Sequence, residues 1–445
     1  MGDMQHTSPT TTSPEGSLSS LAAEARPDRN RAIDAYRALA MVAVSIGHWA
    51  AISGVLEDEG ALQAGNALAD APQLAWITWI FQVMPLFFVV GGFSSAMSLD
   101  AHAREGGRGA DWVTTRLRRM LAPAVVLGAT WLGLLLLGAS FGFAGIVGAG
   151  AVAAAIPLWF LANYTIDTAI APTVLPRLRR NPAAFVAGAL GVFIVVELLH
   201  TNGVPAIGHV NWLLFQVLGF AWRDGLLPSG RRLAVMATRL WAGALTAVTV
   251  GPWPIPMVHH EGLTHSPTHP PSIALMLFGG AYSLTAVALA LRISAWLARS
   301  PRAWTAVVPG NAVSPSVYLW HFTAFIVVAA ASYSLGVLPT ATAASAAWWL
   351  QKLPMMIAAA LVLAGIVAAV CGVERRALLA PRQPWRGSEA LMLLTAALVS
   401  AGVEVWGLGS APVVIAGSVI VLGVWFALLR PPAATETQAD VLAGK

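Results

Sequence analysis

Apolar runs long enough to cross a lipid bilayer recur along the whole chain, and they constrain its fold more than any other feature. A helix needs about 20 consecutive apolar residues to span the hydrocarbon core. Backbone groups need hydrogen bonds there, and a helix satisfies its own. The sequence therefore predicts an all-α polytopic membrane protein with about 12 transmembrane helices. The predicted spans are 33–55, 73–98, 120–140, 143–171, 183–200, 209–225, 233–251, 272–293, 311–333, 348–371, 389–408 and 411–430.

The charges between these spans alternate from one connection to the next. Every second connection contains arginine, and the connections between them contain neither arginine nor lysine. Basic loops remain in the cytoplasm, so this alternation predicts an even number of spans with both termini cytoplasmic. The arginines of the predicted cytoplasmic loops are Arg104, Arg108, Arg116, Arg118, Arg119, Arg177, Arg179, Arg180, Arg223, Arg231, Arg232, Arg299, Arg302, Arg375, Arg376, Arg382 and Arg386.

Composition excludes several other classes of protein. Hydrophobic residues form 57% of the chain and charged residues 11%, which is far from a soluble average. The net charge of +5 does not indicate nucleic-acid binding, because the arginines are scattered between apolar runs. The single cysteine, Cys371, excludes an internal disulfide and a cysteine-based metal site.

Two ionisable residues share one predicted face of the first span. In the segment RALAMVAVSIGH, Arg37 and His48 stand at the two ends of an otherwise apolar stretch. The interval turns an α-helix through roughly 1100°, about 20° past three full turns, and advances it by about 16 Å. Ionisable groups inside a membrane face the bundle interior and mark functional sites. The alternative is a structural histidine with an arginine that reaches the cytoplasmic interface.

Five segments resemble, in order, the motifs of the acyltransferase-3 family of integral-membrane acyltransferases. RNRAIDAYRALAMVAVSIGH is similar to the family's first span, in which an arginine, ten residues and a histidine follow one another. MPLFFVVGGFSSAMSL resembles its second span, RLRRMLAP its arginine pair, PLWFLANYT its Trp-Phe-Leu segment and SVYLWHFTAF its late Tyr-Leu-x-His segment. The matching residues are Arg37, His48, Phe87, Phe88, Gly92, Phe93, Arg116, Arg119, Trp159, Phe160, Leu161, Tyr164, Tyr318 and His321.

The Ser/Thr/Pro-rich opening of the chain and the resemblance together predict how the chain is divided. Residues 1–28 form a disordered cytoplasmic tail, 29–374 the ten-helix acyltransferase core, 375–430 a linker and an additional helix pair, and 431–445 a second cytoplasmic tail. One departure lies in the second span, where Gly91 precedes Gly92 and the family usually has serine before glycine.

The resemblance implies an O-acyltransferase that takes an acyl group from cytoplasmic acyl-CoA, with acetyl-CoA the first expectation, and needs no metal. The acceptor is a hydroxyl reached from the outer side, on an envelope glycan, a glycolipid or a secreted small molecule. Histidine titrates near neutral pH, so His48 is the expected base, with Arg37 beside it. His321 is either a second proton-handling group or a hydrogen-bond partner of a neighbouring helix.

The donor site is expected on the cytoplasmic side. Planar guanidinium groups bind phosphates bidentately, which favours Arg116 and Arg119 as ligands of acyl-CoA. Trp159 and Tyr164 complete the expected donor site. A purely topological role of the RLRR cluster is the alternative.

Two further groups of polar residues are assigned to water-exposed positions. Glu197 and Glu404 are expected to reach water at outer helix ends. The loop 252–271 is rich in histidine, proline, serine and threonine, and it is read as a flexible outer loop rather than a zinc site.

The expected location is the cytoplasmic (inner) membrane of a bacterium, since abundant alanine, glycine and arginine with two lysines are typical of a GC-rich genome. The expected partners are the bilayer, acyl-CoA and the acceptor; the oligomeric state stays open. A 12-span transporter or flippase coupled to protons or anions is the alternative function. The sequence has no clear internal repeat of the kind that transporters show. A non-catalytic anchor leaves the shared face of Arg37 and His48 unexplained.

Overall fold

The computed structural model describes residues 30–58, 61–202, 209–260, 263, 267–268 and 272–379. Helices dominate this part of the chain, with one two-stranded sheet and one 3-10 helix (Pro72–Ile77). The helices are α1 (Arg31–Ala51), α2 (Ala67–Asp70), α3 (Thr78–Phe81), α4 (Met84–Arg104), α5 (Gly109–Ser140), α6 (Ala144–Ala155), α7 (Leu158–Arg180), α8 (Pro182–Thr201), α9 (His209–Arg223), α10 (Gly230–Thr249), α11 (Ile273–Arg299), α12 (Pro301–Ser334) and α13 (Ala346–Leu379).

Seven segments of the described residues are long and apolar enough to cross a membrane. The prediction of a mainly α-helical, polytopic membrane protein is therefore confirmed, whereas the number of spans and the side of the termini stay predictions. The predicted last helix pair and both tails lie outside the described residues. The seven segments are Pro72–Arg104, Gly109–Ser140, Ala144–Arg180, Pro182–Leu199, Ile273–Arg299, Val313–Ser334 and Ala346–Glu374.

The first span is shorter than predicted, because α1 ends at Ala51 and a hairpin follows. Strand β1 (Ile52–Asp58) pairs antiparallel with β2 (Ala61–Asn66). The acidic residues at the end of β1 cannot continue into an apolar helix. A hairpin lets the chain turn back while its strands pair their backbone groups with each other.

Two predicted spans are interrupted at prolines. The second is broken between α3 and α4, where Pro85 stands at the start of α4. The fourth is broken between α6 and α7 at Pro157. A proline ring clashes with the carbonyl four residues earlier and lacks an N–H, so a regular helix ends before it.

Helix α1 packs one side against the bundle, in contact with α4, α11, α12 and α13. Its apolar residues Met41, Val44 and Trp49 belong to the main core together with Phe88 and Phe325. Burial of such side chains stabilises the bundle interior mainly through close packing, since lipid tails are themselves apolar.

Helices α4 and α9 approach each other backbone to backbone. A Cβ at Gly92 would overlap the Gln216 carbonyl oxygen, and one at Gly219 would overlap the Val89 carbonyl oxygen. Small residues permit this approach in membrane helix pairs. The glycine of the second-span motif therefore fixes the distance between α4 and α9.

Four charged residues join the ends of α4, α7 and α9, and we call them the charged ring: Asp100, Arg179, Arg223 and Asp224. Arg179 donates to Asp100 at 2.8 Å and to Asp224 at 2.6 Å. Arg223 donates to Asp100 and Asp224 at 2.9 Å each. The hydrogen bond from Arg179 is the main cause that lowers the pKa of Asp224. The ring ties together three helix ends that the arginine pattern assigns to one side of the membrane.

Candidate active site

The two histidines of the sequence motifs meet in the interior of the bundle. His48 on α1 and His321 on α12 lie with Nδ1 of the first and Nε2 of the second 2.8 Å apart. Their rings lie edge to edge, with centroids 5.1 Å apart and planes 11° from parallel. A separation of 2.8 Å is a hydrogen bond of ordinary length. The sequence singled out His48 by its spacing from Arg37 and His321 by the late Tyr-Leu-x-His segment, and the structure brings the two into one site.

The hydrogen bonds around His321 assign the tautomer of both neutral rings. His321 Nδ1 lies 2.5 Å from the Tyr318 carbonyl oxygen, which can only accept, so Nδ1 carries the proton. His321 Nε2 then holds a lone pair and accepts a hydrogen bond from His48 Nδ1–H. This leaves the lone pair of His48 on Nε2, so Nε2 is the nitrogen of this ring that can accept a proton.

The two histidines differ in how far their side chains are exposed. His321 is 0% exposed, and both of its nitrogens are engaged. His48 is half-buried. The indole N–H of Trp49 also donates to the His321 carbonyl at 2.9 Å and ties α1 to α12 beside the pair. Of the two, only His48 has exposed surface.

Arg37 lies at the contact between α1, α4 and α12. It donates to Ser94 Oγ at 2.8 Å, with a longer contact of 3.5 Å to Asn311 Oδ1. Asp34 Oδ1 lies 3.7 Å from Arg37 Nη1, and Asn311 donates back to the Asp34 carbonyl at 2.9 Å. The Arg37 side chain remains 26% exposed. These contacts orient the guanidinium group between the three helices.

Arg116 reaches the same helix one turn further along. Its Nη1 lies 3.4 Å from Ser98 Oγ, and its guanidinium lies 5.6 Å from the Trp112 ring centroid. Ser94 and Ser98 are four residues apart on α4, so the contact points of Arg37 and Arg116 are separated by about 6 Å along one face. His48 lies about 16 Å from Arg37 along α1. The structure thus places Arg116, Arg37 and His48 one after another along the bundle. We call Arg116 and Arg37 the arginine series.

The remaining predicted donor residues lie in two other places. Arg119 is exposed on α5. Tyr164 on α7 packs on Phe160 with ring centroids 5.5 Å apart, and Trp159 packs on Trp212 at 5.4 Å. Phe160 in turn lies 5.2 Å from Tyr318, the residue whose carbonyl holds His321. Trp159 and Tyr164 therefore belong to an aromatic cluster beside the histidine pair rather than to the arginine series.

Sequence reasoning missed the polar residues that hold this site. Ser94, Ser98 and Asn311 orient the two arginines, and Lys352 on α13 lies close to the end of α1. The i, i+4 spacing of Ser94 and Ser98 was a signal in the sequence. Asn311 and Lys352 contact residues more than 270 positions away, so no local pattern could have identified them.

Glu197 does not reach water, contrary to the expectation from the sequence, but is buried. Its side chain is 5% exposed rather than solvated, and its carboxylate lies beside the backbone N–H of Ile273 at the start of α11. A helix N-terminus stabilises a carboxylate, which explains the position. Glu404 lies outside the described residues, as do His265 and His269 of the histidine-rich loop; among the described residues no group of three metal-ligating side chains occurs.

Comparison with known proteins identifies the family to which this chain belongs. The family model described as an acyltransferase domain, Acyl_transf_3, matches residues 30–373. No curated protein and no solved structure matches the chain. The match extends from the first residue before α1 almost to the end of α13, and so it includes both histidines and the arginine series. A chain with these helices and this match is a membrane acyltransferase, and it belongs to the acyltransferase-3 family.

Proposed function

We propose that the protein is an O-acyltransferase that moves an acyl group from cytoplasmic acyl-CoA to a hydroxyl group of an acceptor reached from the outer side of a bacterial inner membrane. One observation carries the proposal. The half-buried His48 holds its lone pair on Nε2 because Nδ1–H donates to His321, 2.8 Å away. A histidine in this state can accept a proton from a hydroxyl group at neutral pH.

The arginine series supports binding of a phosphate-bearing donor. Arg116 lies on the predicted cytoplasmic end of α5, and Arg37 follows one turn further inward along α4. Guanidinium groups bind phosphates through paired hydrogen bonds. The phosphates of acyl-CoA are held by these arginines, and the thioester arm extends along α1 towards His48. Arg119, exposed on the same helix as Arg116, contributes to attraction of the polyanionic donor.

In the transfer step, His48 carries the proton from the acceptor to the leaving group. His48 Nε2 takes the proton of the acceptor hydroxyl group while the hydroxyl oxygen attacks the carbonyl carbon of the thioester. The carbon–sulfur bond then breaks, and the proton on Nε2 passes to the departing sulfur, which leaves as the free thiol of CoA. The products are an O-acyl ester and CoA, and the imidazole returns to its neutral state.

His321 acts in this scheme as a positioning residue. It is fully buried, and both ring nitrogens are occupied. Its Nε2 holds the His48 ring in one orientation and one tautomer. It also accepts a hydrogen bond that strengthens when His48 becomes an imidazolium.

The test is release of free thiol from acetyl-CoA by the purified protein in nanodiscs, with and without sugar acceptors. Wild type is expected to release CoA in an acceptor-dependent way, and His48→Ala to lose at least about 100-fold in rate while still binding acetyl-CoA. His102→Ala is the matched control, a histidine at the end of α4 outside the pair. Full activity of His48→Ala would remove His48 from the mechanism. Absence of turnover and of acyl-CoA binding in wild type would favour the transporter.

A further inference from the structure

We infer that Lys352 is a positioning residue that holds α1 and α12 in the register at which His48 meets His321. The inference rests on the proposed function for its effect on turnover, although its structural part is independent of it. Lys352 is 1% exposed within the span Ala346–Glu374. A charged side chain inside a membrane is expensive, so its retention calls for a role.

The ammonium group of Lys352 contacts both histidine-bearing helices. Nζ donates to the carbonyl oxygen of Ile52, the residue that follows the last turn of α1, at 2.5 Å. It also lies 4.5 Å from the ring centroid of Phe325 on α12, in a cation–π contact. Trp348 covers it at 5.6 Å.

Two of these contacts, at Ile52 and at Phe325, fall four residues after a histidine. Ile52 follows His48 on α1, and Phe325 follows His321 on α12, so Lys352 lies one turn, about 6 Å, beyond the pair on both helices. Arg37 and Asn311 make the corresponding contact on the other side of the pair. The offset between α1 and α12 is 274 positions at Arg37 and 273 at His48. The two helices thus run parallel in constant register.

The chemistry of the Ile52 contact explains why a cation is used. The last carbonyl groups of a helix have no partner within it, and they carry the negative end of the helix dipole. Trp348 satisfies the next carbonyl, donating to Ser53 at 3.3 Å. Helix α13 therefore binds two successive carbonyl groups where α1 passes into β1, and Lys352 supplies the charged contact.

Loss of this contact allows the last turns of α1, which carry His48, to move relative to α12, while Arg37 and Asn311 still hold the first turns. A hydrogen bond weakens steeply beyond its normal length, and misplacement of a catalytic group by about 1 Å costs on the order of 100-fold in rate. In the proposed function, donor binding depends on Arg37 in the first half of α1 and on Arg116 of α5, and Lys352 contacts neither of them. We therefore expect Lys352→Met to lower kcat by about tenfold or more and to leave KM for acetyl-CoA within about twofold.

The experiment combines kinetics with solid-state NMR of histidine-labelled protein in lipid. Wild type should give a contact between the ring nitrogens of His48 and His321, assigned by its loss in His48→Ala, and Lys352→Met should lose it. Lys352→Arg keeps a cation that can reach Ile52 and should retain both contact and kcat. Gln351→Ala is the control on the same turn, since its exposed amide oxygen accepts hydrogen bonds from the loop at Thr340 and Ala341.

The outcomes separate this inference from the proposed function. Wild-type kcat together with the histidine contact in Lys352→Met would overturn the inference and leave the acyltransferase proposal intact. If Lys352→Met does not fold, Lys352→Gln, which is neutral and shorter, carries the same expectation and the same contradiction. A wild type without any acyl-CoA turnover contradicts the proposed function, and the NMR contact still decides the role of Lys352.

Discussion

At the scale of single residues, the hydrogen bond between His48 and His321 joins two side chains that are 273 positions apart in the sequence. Each histidine was a candidate from its own motif, but their contact could not be read from the sequence. The spacing from Arg37 indicated a polar face on α1, and nothing local indicated which helix that face meets. The tautomer follows only from the Tyr318 carbonyl beside His321 Nδ1.

Replacement of His321 tests the positioning role. His321→Leu leaves His48 Nδ1–H without its acceptor, so the ring loses its fixed orientation. We expect kcat to fall by about 10- to 100-fold with KM for acetyl-CoA unchanged. His321→Gln offers a carbonyl oxygen in place of Nε2 and should recover part of the rate. Equal kcat in wild type and His321→Leu would contradict this role.

Gly91 explains the departure from the family's second-span motif. A Cβ at this position would lie 2.6 Å from the Tyr164 hydroxyl oxygen, and no real Cβ approaches that closely. The Tyr164 ring occupies the space that a serine side chain would use. The departure was visible in the sequence, but its cause required the position of α7.

Enlarging Gly91 should therefore displace the aromatic cluster. We expect Gly91→Ala to destabilise the protein by about 1–3 kcal/mol, as overpacking does. The double variant Gly91→Ala with Tyr164→Leu should recover most of the loss, because the ring is removed. Thermal unfolding in detergent measures both. A single variant as stable as wild type would show that Tyr164 does not fill this space.

At the scale of helices, the charged ring joins the ends of α4, α7 and α9. Asp224 has a lowered pKa because Arg179 and then Arg223 donate to it. A lowered carboxylate pKa stabilises the folded state above the ordinary value of 3.8, and this contribution is lost as the pH falls through the lowered value. The arginines were recognised in the sequence as loop charges, whereas their aspartate partners on other helices were not.

A double-mutant cycle measures how strongly Arg179 and Asp224 of the charged ring stabilise each other. Arg179→Gln and Asp224→Asn should each lower the midpoint of unfolding at neutral pH, and the double variant should lose less than the sum. We expect a coupling free energy of about 1 kcal/mol, since the pair is partly exposed to solvent. The coupling should shrink as the pH is lowered below 3.8 and with added salt. Strict additivity at neutral pH would contradict the ring's role in joining the helices.

At the scale of the whole molecule, hydrophobic runs and arginine alternation were enough to predict the class of fold. They did not predict that α1 ends early or that prolines divide two spans, because hydropathy averages over such breaks. Pro85 and Pro157 were present as signals, but prolines inside α7 and α13 do not divide those helices. Whether a membrane proline breaks a helix depends on neighbours that re-satisfy the backbone.

The predicted sidedness can be measured with cysteine labelling. In a Cys371→Ala background, Glu105→Cys lies between α4 and α5 and Leu335→Cys between α12 and α13, and both positions are exposed. An impermeant maleimide added to intact cells should label Leu335→Cys directly and Glu105→Cys only after permeabilisation. The opposite pattern would invert the bundle and place the arginine series on the outer side.

The most direct test of the central claim uses inverted membrane vesicles, with radiolabelled acetyl-CoA added to the exposed cytoplasmic face. The account predicts that wild-type protein produces acetyl ester, sensitive to mild alkali, on a hydroxyl acceptor enclosed in the lumen. It predicts that His48→Ala binds the donor and produces none. Wild-type amounts of ester in His48→Ala would contradict the account.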